Sequence, residues 1–148
     1  MNEKHGVTAI IFDERDAKRY FLLLHRALNW SGWEFCKGGI DQGEDAMQAV
    51  LREVKEETGI ADAKVISVMP IKIKWIARGM KFSYTPFILQ APLDSKIDLQ
   101  SGQKVIEHND YKWATEEEVE GMLTHADNKK VFKQALGVLD SGTTPKSN

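Results

Sequence analysis

Cysteine is almost missing from this chain. Cys36 is the only one among 148 residues, so an intramolecular disulfide is excluded and a structural zinc site built on thiolates is disfavoured. A lone thiol fits a reducing compartment. Long apolar runs are missing too. No stretch approaches the ~18 residues of a membrane helix. Residues 1–12 show no apolar run followed by a cleavage pattern. The expectation is a cytoplasmic protein without a membrane partner. Nor is there an excess of one charge: the formal net charge is −2, so no global field draws the chain to nucleic acid. A nucleotide site would have to build its own local positive potential. Repeats and low-complexity linkers are absent, and one domain is expected over 1–140, with 141–148 a disordered polar tail.

What is present is a 42% hydrophobic fraction, enough at this length to bury a core without covalent staples. Apolar runs at 7–12 and 20–26, separated by the charged stretch 13–19, read as a hairpin. Residues 33–35 read as a short strand and the glycine-rich 37–43 as a loop. A helix is expected over 44–58, with Asp41 and Glu44 spaced as a capping box and Gly59 as its stop. Residues 65–76 and 81–90 read as strands, Pro86 marking an edge or bulge in the second. A polar loop over 92–104 and a last strand over 107–113 follow. Thr115 and Glu118 space a second capping box opening a helix to about 123, and 129–139 is amphipathic. This order implies an α/β domain of the α+β type, a mixed sheet between helices.

Winding the 44–58 helix at 100° per residue places Glu53, Glu56 and Glu57 within an arc of about 100°. Ala46 and Ala49 share the arc and leave space beside the carboxylates. Met47, Val50, Leu51 and Val54 form a separate stripe expected to pack on the sheet, with Gln48 and Lys55 facing water. Three carboxylates so placed repel, at roughly 0.2–0.5 kcal/mol per i,i+4 pair. A divalent cation removes that cost, and oxygen-only donors favour a hard ion, Mg2+ or Mn2+. An acidic helix face beside a glycine-rich loop suggests metal-assisted phosphoryl chemistry. Glu-rich helices are more often solvated charged faces. That reading leaves Gly38, Glu44, Arg52, Val54, Gly59 and Ile60 unaccounted for.

Those residues carry a resemblance. Gly38, Glu44, Arg52-Glu53-Val54, Glu56-Glu57 and Gly59-Ile60 reproduce the box of the Nudix hydrolases, Gly-x5-Glu-x7-Arg-Glu-aliphatic-x-Glu-Glu-x-Gly-aliphatic, with no departure. The likeness extends over roughly 7–139, including the Trp33-Glu34-Phe35 lead-in and Glu107 with Trp113 after the box. It implies the Nudix fold, and a Mg2+ (or Mn2+) dependent hydrolase of phosphoanhydrides in nucleoside-diphosphate-linked substrates. Carried over residue by residue, Glu53, Glu56, Glu57 and the main-chain carbonyl of Gly38 become metal ligands. Arg52 holds a box glutamate, a role its i,i+4 relation to Glu56 suits. The base is Glu53 or the late Glu107, which could instead be an extra ligand. His108 and Asp110 stand nearby and read as structural.

Substrate choice lies outside the box. The stretch 33–39 resembles the W-x-x-P-K-G of dinucleoside tetraphosphate and diphosphoinositol polyphosphate hydrolases. It also resembles the W-x-F-P-Q-G-G of RNA 5′-pyrophosphohydrolases. Cys36 replaces the proline and reads as a buried filler. Lys37, Arg26, Lys81 and Tyr84 are the candidate substrate contacts, with Lys72, Lys74, Arg78, Trp75 and Phe82 around them. His25 reads as structural. The favoured substrate is a dinucleoside polyphosphate, diadenosine tetraphosphate giving ATP and AMP. The alternatives are an RNA 5′ end, (d)NTPs or ADP-ribose. A different class, a non-catalytic nucleotide sensor, would be signalled by loss of a box glutamate, and none is lost. Monomer and homodimer both stay open.

Overall fold

The computed structural model describes residues 2–101 and 105–141. A long strand, β1 (Glu3–Arg15), organises it. Successive side chains of a strand point to opposite faces. Ile10 and Phe12 accordingly enter one apolar cluster, while Val7, Ala9 and Ile11 enter another. β2 (Lys18–Arg26) folds back antiparallel through Asp16 and Ala17, whose φ angles of 56° and 64° give the two-residue turn that matches strand twist. Beside β2 lie β3 (Gly32–Glu34) and β8 (His108–Thr115). β4 (Cys36–Gly39) pairs with the first half of β1, and β7 (Met80–Gln90) runs parallel along β1. β5 (Lys64–Val68) and β6 (Ile73–Ala77) share the outer edge of β7.

The result is a mixed eight-stranded sheet. α1 (Ala46–Thr58) covers the Val7–Ala9–Ile11 face with Ala49, Val50 and Val54. α2 (Glu116–Met122) and α3 (Ala126–Ser141) cover the opposite face. There Phe132 meets Phe21 edge-on at 4.9 Å. Such an aromatic pair adds about 0.5–1.5 kcal/mol beyond its burial. The expected mixed sheet between helices is the architecture found.

Several expectations shift in position. The 37–43 loop is half strand, because Lys37, Gly38 and Gly39 pair with β1. α1 begins later than expected, capped by Asp45, which accepts from the Gln48 amide while the Gln48 side chain accepts from Asp45. The Asp41–Glu44 pattern makes a turn before the helix instead, the Glu44 carboxylate accepting both from the Asp41 amide and from Arg52. Met47 and Leu51 are exposed rather than packed on the sheet. α1 lies with Ala49, Val50, Val54 and Glu57 inward, so Ala49 closes the helix–sheet contact rather than leaving a gap. The 65–76 strand is two strands, broken around Pro70. Pro86 sits within β7 with its carbonyl accepting from Met69, so its missing N–H faces the interval between β5 and β6. α3 starts at Ala126 rather than 129 and ends at Ser141, a residue expected in the tail. The rest of that tail, 142–148, and the end of the 92–104 loop lie outside the described residues.

Candidate active site

α1 delivers the box carboxylates to one end of the sheet. Gly59, at φ 81°, supplies the left-handed cap that ends the helix and returns its N–H to the Lys55 carbonyl. Gly38 is needed for space. A Cβ there would collide with the Glu53 carboxyl, so only glycine lets this acid lie against the β4 backbone. Arg52 uses all five of its N–H donors: on Glu44 twice (2.7 and 3.0 Å), Glu53 (2.9 Å), Glu56 (3.1 Å) and the Gly39 carbonyl (2.8 Å). Asp41 stands 3.4 Å from the same guanidinium. The hydrogen bonds that Arg52 donates to Glu44, above all, hold its pKa above the ordinary value. The expected pairing of Arg52 with Glu56 is therefore present, as one arm of a larger clamp.

Glu57 points inward and is 3% exposed. Burial, then the charges of Glu53 and Glu107, push its carboxyl well above the ordinary range. Burial also raises Glu53, although its bonds to Glu57 and Arg52 oppose the shift. Glu57 Oε1 has no hydrogen-bond partner among the described residues. An orphaned carboxylate oxygen, two acids in contact and a third beside them are what an oxygen-ligated divalent cation would satisfy. The donor set thus fits such an ion. Among the described residues no three acidic or histidine side chains already stand in ligating positions, since Arg52 draws Glu53 and Glu56 to itself.

Glu107 lies just before β8, its carbonyl accepting from Ala27 and Leu28. Its carboxylate accepts from Arg26 at 3.1 Å. Arg26 is thus less free for phosphate than expected. Nη1 also reaches Glu34 at 3.4 Å, Nε donates to the Leu28 carbonyl, and the guanidinium lies 5.9 Å from the centre of the Trp30 ring. Lys37 is 3.4 Å from the other Glu34 oxygen and 5.1 Å from the Trp75 ring centre. Tyr84 packs over Gly6 beside the Gly38 carbonyl and 4.8 Å from Trp75. Burial, then Glu53, Glu57 and Glu107, raise its hydroxyl pKa. Tyr84 therefore joins the carboxylate end to an aromatic cleft. Lys81 stands apart on the outer surface with Glu3, Lys74, Trp75 and Phe82, so it does not share a pocket with Lys37.

The cleft, about 420 Å³, lies between Trp75 and Trp30, with Thr8, Ile73 and Lys37 among its lining and the start of α3 at its rim. Trp30 meets His125 edge-on at 4.5 Å. Thr124 anchors this corner by accepting from the Trp33 amide, and a Cβ at Gly32 would strike both Thr124 and Trp30. Sequence reasoning missed Trp30, His125 and the fully buried Glu34. A tryptophan inside a polar loop and an acid between Trp33 and Phe35 were the available signals. His108, expected to be structural, is buried and bonded through Nε2 to Glu34 at 2.8 Å. Cys36 is a buried filler that donates to the Glu53 carbonyl at 3.7 Å, its thiol pKa raised by burial first and Glu57 second.

Residues 3–136 match the family model of the NUDIX domain, and the chain belongs to that family. The RNA pyrophosphohydrolase of a Nitratiruptor species is 30% identical over 88% of this chain and 89% of its own. That of a Sulfurovum species is 26% identical, covering 88% of each chain. In fold, a C. elegans Ap4A hydrolase in a binary complex superposes with a TM-score of 0.82 at 22% identity, over 94% of this chain and 99% of the other. The protein is a Nudix pyrophosphohydrolase. Enzymes of this family generally use divalent metal ions. Among the described residues no helix is long and apolar enough to cross a membrane.

Proposed function

We propose that this enzyme hydrolyses a phosphoanhydride of a dinucleoside polyphosphate, diadenosine tetraphosphate giving ATP and AMP, with Mg2+ as its ion. The observation that carries this reading is the placing of Lys37 against Trp75 in a cleft joined through Tyr84 to the carboxylate end. A base stacked on a tryptophan contributes about 1–3 kcal/mol. A four-phosphate chain needs cations along its length. Glu53, Glu56, Glu57 and the Gly38 carbonyl are the residues that would hold the ion, with Glu107 as a further ligand. When bound, Mg2+ supplies polarisation of the phosphoryl oxygens and neutralises developing charge.

The chain's own residues do the rest. Arg52 holds Glu53 against Gly38. Glu53, held in place by Arg52, takes the proton of the attacking water. Lys37 carries charge on the phosphate chain, and Trp30 and Trp75 flank a base.

A second reading, removal of pyrophosphate from an RNA 5′ end, is supported by the relatives named RNA pyrophosphohydrolase. A substrate panel decides. With Mg2+, diadenosine tetraphosphate is expected to show a higher kcat/KM than triphosphorylated RNA, dNTPs or ADP-ribose, with ATP and AMP as products. A higher value for triphosphorylated RNA would replace the first reading with the second. Water carrying heavy oxygen should label one product only.

A further inference from the structure

We propose that Glu34 is a positioning residue that fixes where a polyphosphate chain lies relative to the box carboxylates. This rests on the polyphosphate hydrolase reading, though not on which nucleotide is cleaved. Glu34 is 0% exposed and sits between two aromatic residues, where an apolar side chain would be the inexpensive choice. A buried carboxylate costs several kcal/mol unless charged partners compensate it. Here three bases surround it: His108 Nε2 at 2.8 Å and Arg26 Nη1 at 3.4 Å on one oxygen, and Lys37 Nζ at 3.4 Å on the other.

Each permanent cation is held between Glu34 and a wall of the cleft. Arg26 spans from Glu34 to Trp30 and Lys37 from Glu34 to Trp75. Arg26 also reaches Glu107 at 3.1 Å, so Glu34 connects the cleft to an acid near Glu57. Lys37 is held by an ion pair alone, since Oε1 lies 3.4 Å from its ammonium but accepts no hydrogen bond, which leaves its N–H donors for a phosphate. It can turn to a phosphate without losing its anchor. Immobilising a lysine costs rotamer entropy, and the ion pair with Glu34 imposes part of that cost in the free enzyme.

Neutralising Glu34 has two opposed effects. It raises the positive potential of the cleft, which favours phosphate binding. It also frees Lys37 and Arg26, which spoils alignment of the bound chain. A positioning role therefore has a signature that a purely structural role lacks. In Glu34→Gln the KM should stay level or fall while kcat drops about tenfold. Cleavage of diadenosine tetraphosphate should also lose its regiochemistry, with ADP appearing beside ATP and AMP. If triphosphorylated RNA proves the better substrate, inorganic phosphate beside pyrophosphate is the same readout.

Glu34→Asp should restore part of kcat. Glu34→Gln combined with Lys37→Gln should lose little more kcat than the worse single variant, because the first acts through the second. Unchanged kcat and products with only a lower Tm would overturn the proposal, and so would a raised KM at constant kcat. If Glu34→Gln does not melt cooperatively, the wild-type enzyme decides without any substrate. By NMR in EDTA, the Lys37 ammonium should exchange more slowly than that of exposed Lys96 and shift when inorganic tripolyphosphate is added. Exchange as fast as that of Lys96 would also overturn the proposal.

Discussion

Two charge clusters at one end of the sheet are near mirror images. In the first, Arg52 is a single cation among Asp41, Glu44, Glu53 and Glu56. In the second, Glu34 is a single buried anion among Arg26, Lys37 and His108. The first leaves negative charge uncompensated and so favours a cation. The second places two permanent cations at a cleft and so favours an anion. Glu107, bonded to Arg26, links them. On the proposed reading, metal-assisted hydrolysis of a polyphosphate needs both partners side by side, and the two clusters would supply one each.

The comparison breaks most strongly at the first cluster. Glu56→Gln and Glu57→Gln are each expected to lower turnover by at least about 100-fold while the fold survives. Rates and thermal melts taken together check this, and near-wild-type turnover in both variants would sink the ligand assignment. Arg52→Ala should weaken divalent-ion affinity about 10–100-fold, the range seen when outer-shell partners of a metal are removed. An unchanged ion affinity with a raised KM would mean instead that Arg52 touches substrate.

At the second cluster the expected loss is smaller. Lys37→Gln should cost about 10–30-fold in kcat/KM for diadenosine tetraphosphate, the lower end of the roughly 1.5–3 kcal/mol that a hydrogen bond to a charged group is worth, because Lys37 is partly exposed. ADP-ribose should be affected less, and equal losses would reduce Lys37 to a support for the loop.

The smallest effect is on the pH dependence of stability, where the clusters should have opposite signs. The raised carboxyls of Glu57 and Glu53 favour the folded state fully below the ordinary carboxylate range. That contribution fades as pH rises through the folded values. At Glu34 burial alone would raise the carboxyl, but the His108 hydrogen bond and the charges of Lys37 and Arg26 hold it below its ordinary value. Its contribution is present above that value and is lost as pH falls. In EDTA, Glu57→Gln should flatten the decline of Tm toward high pH, and Glu34→Gln the decline toward low pH, each by about 2–8 °C. The same slope change in both variants would contradict the mirror-image account.

The two clusters also differ in how far they were legible in the sequence. Every carboxylate of the first lies on one helix or the turn before it, so helical periodicity and box spacing bring most of them together. Only the inward turn of Glu57 and the exposure of Met47 and Leu51 needed the packed structure. They follow from how the helix is rolled on the sheet, which periodicity alone does not fix. The second cluster draws on β2, β3, β4 and β8, with Arg26 and Glu107 separated by 81 residues. Strand register makes those contacts, and no local spacing announces it. Arg26 and Lys37 were picked out as lone cations, whereas the acid that binds them was not. In the fold, capping chemistry at Thr115 and the left-handed cap at Gly59 read true. Asp45 took the start of α1 from Asp41 by making the full reciprocal box with Gln48, whereas Asp41 and Glu44 close only a turn before it.

The most direct test of the account is a titration of the enzyme with Mn2+ followed by electron paramagnetic resonance, without substrate, in wild type and Glu57→Gln. The account predicts that the wild-type chain binds the ion and gains thermal stability from it, with affinity weakened about tenfold or more in the variant. Equal Mn2+ affinity in the two proteins would contradict it, because the orphaned Glu57 oxygen would then have no part in holding the ion.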